Sequence, residues 1–277
     1  MFKEYLLSYY TSQFKKIKQN YLLAAKKRDS EGIHYLRVET RRIKAFFDLV
    51  KSINNEFRFK NHYRGLRYLF EVSGELRDIH VQKVIAKEIE MELNINFIDY
   101  TVFLQNKELI AEKRFSDCIK IMRKNILKPN KKIIKRALSN ISDDITAAGI
   151  KNQFEFLLNQ LINCGNSEEL KEDKLHQIRI FSKKARYSIE IIQRCFPDLW
   201  NKNDIVGLLK EIHQVLGKWH DYEVSLDFLK SFKIKYSTNQ AFEIKTYNMF
   251  LKNIKMKKVL LFSEFKTKWE ICCAMKT

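Results

Sequence analysis

The sequence is poor in everything that turns a chain sharply. Its 277 residues include two prolines, Pro129 and Pro197, and seven glycines. That is too few for a many-turned β protein and suits long helices joined by short loops. Long apolar runs are missing as well. No window approaches the roughly 20 uninterrupted apolar residues of a membrane span. The N-terminus reads Met1-Phe2-Lys3-Glu4, with no uncharged apolar core of signal-peptide type. Five cysteines (Cys118, Cys164, Cys195, Cys272 and Cys273) are an odd number without a C-x-x-C pair, which fits a reducing cytosol better than a disulfide framework. Neither a G-x-x-x-x-G-K-[ST] nor a G-x-G-x-x-G loop occurs, and H-E-x-x-H and nucleophile motifs are absent too. The expectation is therefore a cytoplasmic protein without catalysis, cofactor or metal.

What the chain does have is charge and a core. Hydrophobic residues make up 45%, enough to bury a real interior. Lysine and arginine number 52 against 33 acidic residues, a formal charge of +19 spread along the chain rather than held in a tail. The partner implied is polyanionic, and nucleic acid, an anionic membrane surface and a phosphate polymer all meet that condition.

Apolar residues recur at helical spacing nearly throughout. The pattern predicts helices over residues 2 to 27, 31 to 52, 56 to 91 and 97 to 127, with Asp29-Ser30 and Asn54-Asn55 as breaks. Past Pro129-Asn130, a connecting helix is expected to run to about Gly149. Helices over 150 to 164, 168 to 195, 203 to 232 and 238 to 270 follow, broken at Gly165-Asn166-Ser167 and Pro197-Asp198. The fold class is all-α. One domain is expected, made of a first four-helix half (1–128), a connecting helix (129–149) and a second four-helix half (150–277).

The second half repeats residues of the first. A slide of 142 positions superimposes His34 on His176, Arg37 on Arg179, Arg41 on Lys183, Arg42 on Lys184, Lys44 on Arg186 and Asp48 on Glu190. A slide of 143 aligns Gly74-Glu75-Leu76-Arg77-Asp78 with Gly217-Lys218-Trp219-His220-Asp221. Positions 34, 37, 41, 44 and 48 fall within roughly 80° of one another around a helix, opposite Leu36, Ile43, Phe47 and Val50. Each half thus carries one basic stripe facing away from an apolar side. Guanidinium forks and lysine charges suit phosphate, and histidine adds a further donor. A charge run is ordinarily a solvated face, but such a face has no reason to keep four residue types at the same spacing in both halves. Gly74 and Gly217, costly inside helices, suggest close helix crossings. Asp78 and Asp221 read as carboxylates that orient neighbouring basic side chains, and Asp48 and Glu190 admit the same role. A metal reading of the histidines fails, because their neighbours at helical spacing are cations.

The residues His34-Tyr35-Leu36-Arg37-Val38 with Arg41-Arg42-Ile43-Lys44, and Leu175-His176-Gln177-Ile178-Arg179 with Lys183-Lys184-Ala185-Arg186-Tyr187, resemble the two basic helices of the CHAD domain. That family is named for conserved histidines and helical content. Leu76-Arg77-Asp78-Ile79-His80-Val81 and Leu216-Gly217-Lys218-Trp219-His220-Asp221 resemble its L-R-D-x-x-V and L-G-x-x-x-D segments, so the likeness spans essentially the whole chain. Lys44 and Lys183 stand where arginines are often seen. The resemblance is to a stand-alone CHAD domain without a CYTH domain. Glu88, Glu90 and Glu92 lack the lysine of the CYTH E-x-E-x-K signature and lie inside a helical stretch.

The resemblance implies two four-helix bundles in pseudo-twofold arrangement, enclosing a groove that binds inorganic polyphosphate, and association with polyphosphate granules. The residues expected to hold the polymer are His34, Arg37, Arg41, Lys44, His176, Arg179, Lys183 and Arg186, assisted by Arg42, Arg64, Arg67, Lys184 and Lys210. Two alternatives belong to other classes: a helical nucleic-acid-binding protein, and an enzyme acting on phosphorylated substrates through a phosphohistidine at His34 or His176.

Overall fold

A computed structural model describes residues 2–27, 29–122, 127–165, 172–196, 203–236 and 244–274. The described residues form nine helices and no strand: α1 Phe2–Lys27, α2 Ser30–Ile53, α3 Lys60–Leu93, α4 Ile98–Ile121, α5 Lys131–Leu138, α6 Asp143–Gly165, α7 Glu172–Cys195, α8 Asn203–Tyr236 and α9 Ile244–Ala274. The breaks expected at residues 166–167 and 197–198 lie outside the described residues, as do the first residues of the helices expected from 168 and 238.

Local chemistry explains most of the boundaries. Asp29 caps α2, its carboxylate accepting from Gly32 N at 2.8 Å, a contact that satisfies one of the orphan donors of the first turn. α3 ends at Asn94, whose backbone turns left-handed at φ 51°, a conformation asparagine tolerates better than most side chains. Glu90 then reaches across the turn, and its Oε1 accepts from Phe97 N at 2.8 Å just before α4. Of the other alternating glutamates, Glu92 pairs with Lys257 of α9 at 2.6 Å.

Several boundaries differ from the sequence reading: α3 begins at Lys60 rather than 56, and α8 and α9 run on to Tyr236 and Ala274 rather than 232 and 270. α4 stops at Ile121, where Met122 turns extended, rather than running to 127. The connecting helix expected up to Gly149 is two pieces. α5 ends at Leu138, and Ser142 caps a new helix, its hydroxyl accepting from Ile145 N at 3.2 Å, with Asp143 and Asp144 in the first turn where the helix dipole favours negative charge. Gly149 therefore lies within α6 and not at its start. There it permits a close approach: a Cβ on Gly149 would stand 3.0 Å from Ile53 Cα of α2.

The helices pair as neighbours along the chain: α1 on α2, α3 on α4, α6 on α7 and α8 on α9, with α2 on α3 and α7 on α8. Groups of four are completed across the two halves. α2 packs against α6 and α7, and α3 against α8. The larger core draws on α1, α2, α6 and α7 together with one end of α3, α4, α8 and α9. Phe47 at its centre stacks on Phe59 at 5.1 Å and meets Phe57 and Tyr10 at 5.9 Å. Each such buried side chain contributes roughly 1.5–3 kcal/mol. A second cluster at the far ends of the long hairpins gathers Phe97, Tyr100, Phe103, Phe232 and Phe250 in edge contacts of 5.1–6.1 Å. Between the two cores, Ser225 of α8 donates to Gln82 of α3 at 2.6 Å, and Gln82 donates to the Asp221 carbonyl at 3.1 Å. This polar tie fixes α3 against α8 immediately beneath Asp78 and Asp221. Among the described residues no helix is long and apolar enough to cross a membrane.

Candidate functional site

The apolar sides of α2 and α7 enter the larger core, with Leu36, Ile43, Phe47, Val50, Ile178, Ala185, Ile189 and Ile192 all buried. Their basic stripes are thereby turned toward one concavity, a cleft of about 950 Å³. α2 supplies His34, Arg37, Arg41 and Arg42; α7 supplies Arg179, Lys183 and Arg186. The helices that cross them add Arg77, Asp78, His213, Lys218, His220, Asp221 and Lys268. Among the described residues, nine lysine or arginine side chains line the cleft against four carboxylates.

The remaining expected residues lie elsewhere. Lys44 and Lys184 line an adjoining cavity of about 640 Å³, and Arg41, Phe70, Arg179, Lys183 and Tyr187 line both. His176 is exposed and outside the lining, its ring 5.9 Å from that of His220, while the ring of His34 meets Tyr35 at 5.1 Å. Arg64, Arg67 and Lys210 are exposed and line neither cavity, and Arg67 is paired with Glu71 at 2.8 Å. They read as site residues because a charge pattern does not reveal which way the outer face of α3 or α8 points.

The repeated acids neutralise the far end of each stripe. Lys44 donates to Asp48 at 2.5 and 2.6 Å, and Arg186 Nε stands 3.7 Å from Glu190. Arg42 joins the two halves, bonded to Glu39 at 2.7 Å and across to Glu190 at 2.9 Å. Lys268 is held by Glu211 at 2.7 Å. Basic side chains not matched in this way are concentrated at Arg37, Arg41, Arg77, Arg179 and Lys183.

Burial, and after it the crowding of like charge, shows in how these groups titrate. Burial, and then Arg41 and Arg179, push Lys183 down to about 6. Burial, and then Arg41, bring Arg37 to about 10. Burial likewise lowers His34, reinforced by Arg77, Arg41 and Arg37, and brings His213 to about 3 and His220 to about 4. Asp221 is raised to about 6 by burial against the pull of Arg179, and Asp78 is raised by burial against Arg37 and Arg41. Both carboxylates thus sit among arginines of both halves. Buried polar atoms are also left over: the donors Arg179 Nε and Arg186 Nε, and His213 Nε2, have no hydrogen-bond partner among the described residues. Such groups are costly unless an acceptor meets them.

Phe70 and Arg77 join the site although the basic stripes do not include them. Arg37 donates to the Phe70 carbonyl, and its guanidinium lies 4.1 Å from the Phe70 ring centre, with that of Arg41 at 4.9 Å. An aromatic one turn before Gly74 is the signal the sequence offers for it. Gly74 itself does not mark a helix crossing: a Cβ there would meet Arg37 Nη1 at 2.9 Å, so the glycine makes room for the guanidinium. Gly217 faces open space. The repeated glycine therefore has unlike roles. Gly217→Ala should stabilise the fold by up to about 1 kcal/mol, whereas Gly149→Ala, against the α2 backbone, should cost about 1–3 kcal/mol. Urea midpoints of the two variants check this pair, and equal shifts would contradict it.

Comparison with known proteins gives the geometry a lineage. The CHAD domain profile matches residues 8–93 and 104–230. The chain belongs to the CHAD domain family. Its fold is similar to the crystal structure of the CHAD domain from the plant Ricinus communis, with TM-score 0.68 and 15% identity over 96% of this chain and 87% of that one. It is also similar to PptA from Streptomyces chartreusis, with TM-score 0.63 and 13% identity over 97% and 99%. At such identities the likeness is one of fold. No curated protein sequence matches. Among the described residues no group of three or more histidine, cysteine or carboxylate side chains is placed to hold a metal ion.

Proposed function

We propose that this CHAD domain binds inorganic polyphosphate in the cleft between α2 and α7, that it holds the polymer without cleaving it, and that it associates with cytoplasmic polyphosphate granules. The observation that carries the reading is convergence. Two stripes, distant in sequence, meet in one concave site with excess positive charge and buried donors that lack acceptors. A linear phosphate chain offers acceptors at every unit, and its charge offsets the burial, and after it the repulsion, that depress Lys183 and Arg37. The concave form favours an extended single chain over duplex DNA, whose binding calls for a broad convex basic face.

The test is competition. Long-chain polyphosphate should displace labelled duplex DNA of equal phosphate concentration at physiological salt, with affinity falling as salt rises. If the duplex wins, the nucleic-acid reading replaces this one. Incubation with divalent metals should leave polymer length unchanged on a gel and His34 and His176 unlabelled; shortening or labelling would make the protein an enzyme.

A further inference from the structure

Polyphosphate has no apolar surface, yet the 640 Å³ cavity beside the cleft is walled by Tyr63, Phe70, Phe156, Leu157, Phe181 and Tyr187. Its size is that of a small-molecule site. Phe156 is 55% exposed there, an aromatic face turned to solvent at the edge of a basic belt. The belt is shared: Arg41, Arg179 and Lys183 line both cavities, so a ligand spanning the boundary meets aromatic walls on one side and phosphate-binding cations on the other. Gln153 and Ser188 add hydrogen-bonding groups among the rings. A lipid tail has no use for such groups, whereas the edges of a nucleobase and the hydroxyls of a ribose do.

We propose that this chamber seats the nucleoside of a nucleoside polyphosphate whose phosphate chain crosses the Arg41, Arg179 and Lys183 belt into the cleft. The proposal rests on the phosphate-binding reading of the cleft and adds a second ligand class to it. Aromatic faces accept any base by stacking, so the chamber selects for a base more than for which base.

Calorimetry on the full chain, without metal, compares inorganic tripolyphosphate with ATP, GTP, CTP and UTP. Tripolyphosphate has the same number of phosphates and no nucleoside, so electrostatics alone gives it no disadvantage. At least one nucleotide should bind about tenfold tighter than tripolyphosphate, the order of gain one stacked base supplies. Phe156→Ala, at an exposed position, and Phe181→Ala should each reduce that advantage while leaving tripolyphosphate affinity within about twofold. Long-chain polyphosphate is titrated alongside. If it binds but no nucleotide exceeds tripolyphosphate, or the advantage survives in both variants, the chamber is not a nucleoside site and the cleft reading stands. If neither inorganic ligand binds, the cleft reading fails and this proposal with it.

Discussion

Replacing Arg41 and Lys183 together by methionine should weaken polyphosphate binding by about a hundredfold or more while making the free protein harder to unfold. Removing one charge-assisted hydrogen bond to phosphate costs about 1.5–3 kcal/mol, so removing two reaches that factor. The opposite effect on stability follows from the electrostatics of the cleft without a ligand. Arg41 opposes the charge of His34, Arg37, Arg179, Lys183, His213 and His220. Methionine keeps the apolar stem of both side chains and removes the repulsion. The melting temperature should rise by about 2–4 °C for each kcal/mol released, and the salt dependence of polymer affinity should flatten by about 1.4 in logarithmic slope, two phosphate contacts at about 0.7 each. Arg64→Ala and Lys210→Ala, outside both cavities, remove the same net charge and should change affinity by no more than about threefold at physiological salt. Equal losses of affinity in the two double variants would mean that net charge and not the belt binds the polymer. A lower melting temperature for the methionine variant would remove the strain from the account.

The asymmetry between those pairs marks the limit of what the sequence discloses. The stripes on α2 and α7 are legible because a helix imposes a period of 3.6, and the repeat shows which of many basic positions share a face. Asp48 and Glu190 are legible in the same way, and the structure pairs each with the basic residue one turn before it. Arg64, Arg67 and Lys210 lie outside both cavities, since being basic near a motif says nothing of orientation. Phe70, His213 and Lys268 reach the cleft from positions of α3, α8 and α9 that lie outside the repeated motifs. Their positions depend on packing between halves, a long-range contact that periodicity does not encode. Gly74 shows a subtler gap. Its repetition suggests a shared structural role, but only the position of Arg37 reveals why one copy needs the space and the other does not.

The repeat is therefore a scaffold on which the two copies have diverged electrostatically. Where the first half has Arg77 before Asp78, the second has His220 before Asp221. Burial and Arg179 bring His220 to about 4, so it is neutral where Arg77 is charged. Lys183 in place of a second Arg41 does the same in a different pH range. At these two positions the second half has Lys183 and His220, which a ligand can recharge, where the first half has Arg41 and Arg77.

Polymer affinity should consequently rise as pH falls from about 8 to about 6, with protons taken up on binding. In the free protein Lys183 is lowered from 10.5 to about 6. Between those values the unfolded chain holds more protons than the folded one, so stability of the free protein climbs with pH at no more than about 1.4 kcal/mol per unit. His213 and His220, lowered from 6.5 to about 3 and about 4, act in the same direction at lower pH: stability is lost as pH drops below 6.5. Asp221, raised from 3.8 to about 6, acts oppositely, contributing stability at low pH that is lost as pH rises through 6. Above neutrality Lys183 acts with little opposition, which makes it the group to test. A polyanion in the cleft favours its charged form and returns its proton, so the complex binds more protons than its parts. Calorimetry near pH 8, about midway between the lowered and the ordinary lysine values, in two buffers of different ionisation enthalpy should show an uptake approaching one proton per site. Lys183→Arg, charged at every pH used, should keep high affinity, lose most of the uptake and flatten the pH profile. Proton release in the wild type, or uptake undiminished in the arginine variant, would assign the linkage to another group.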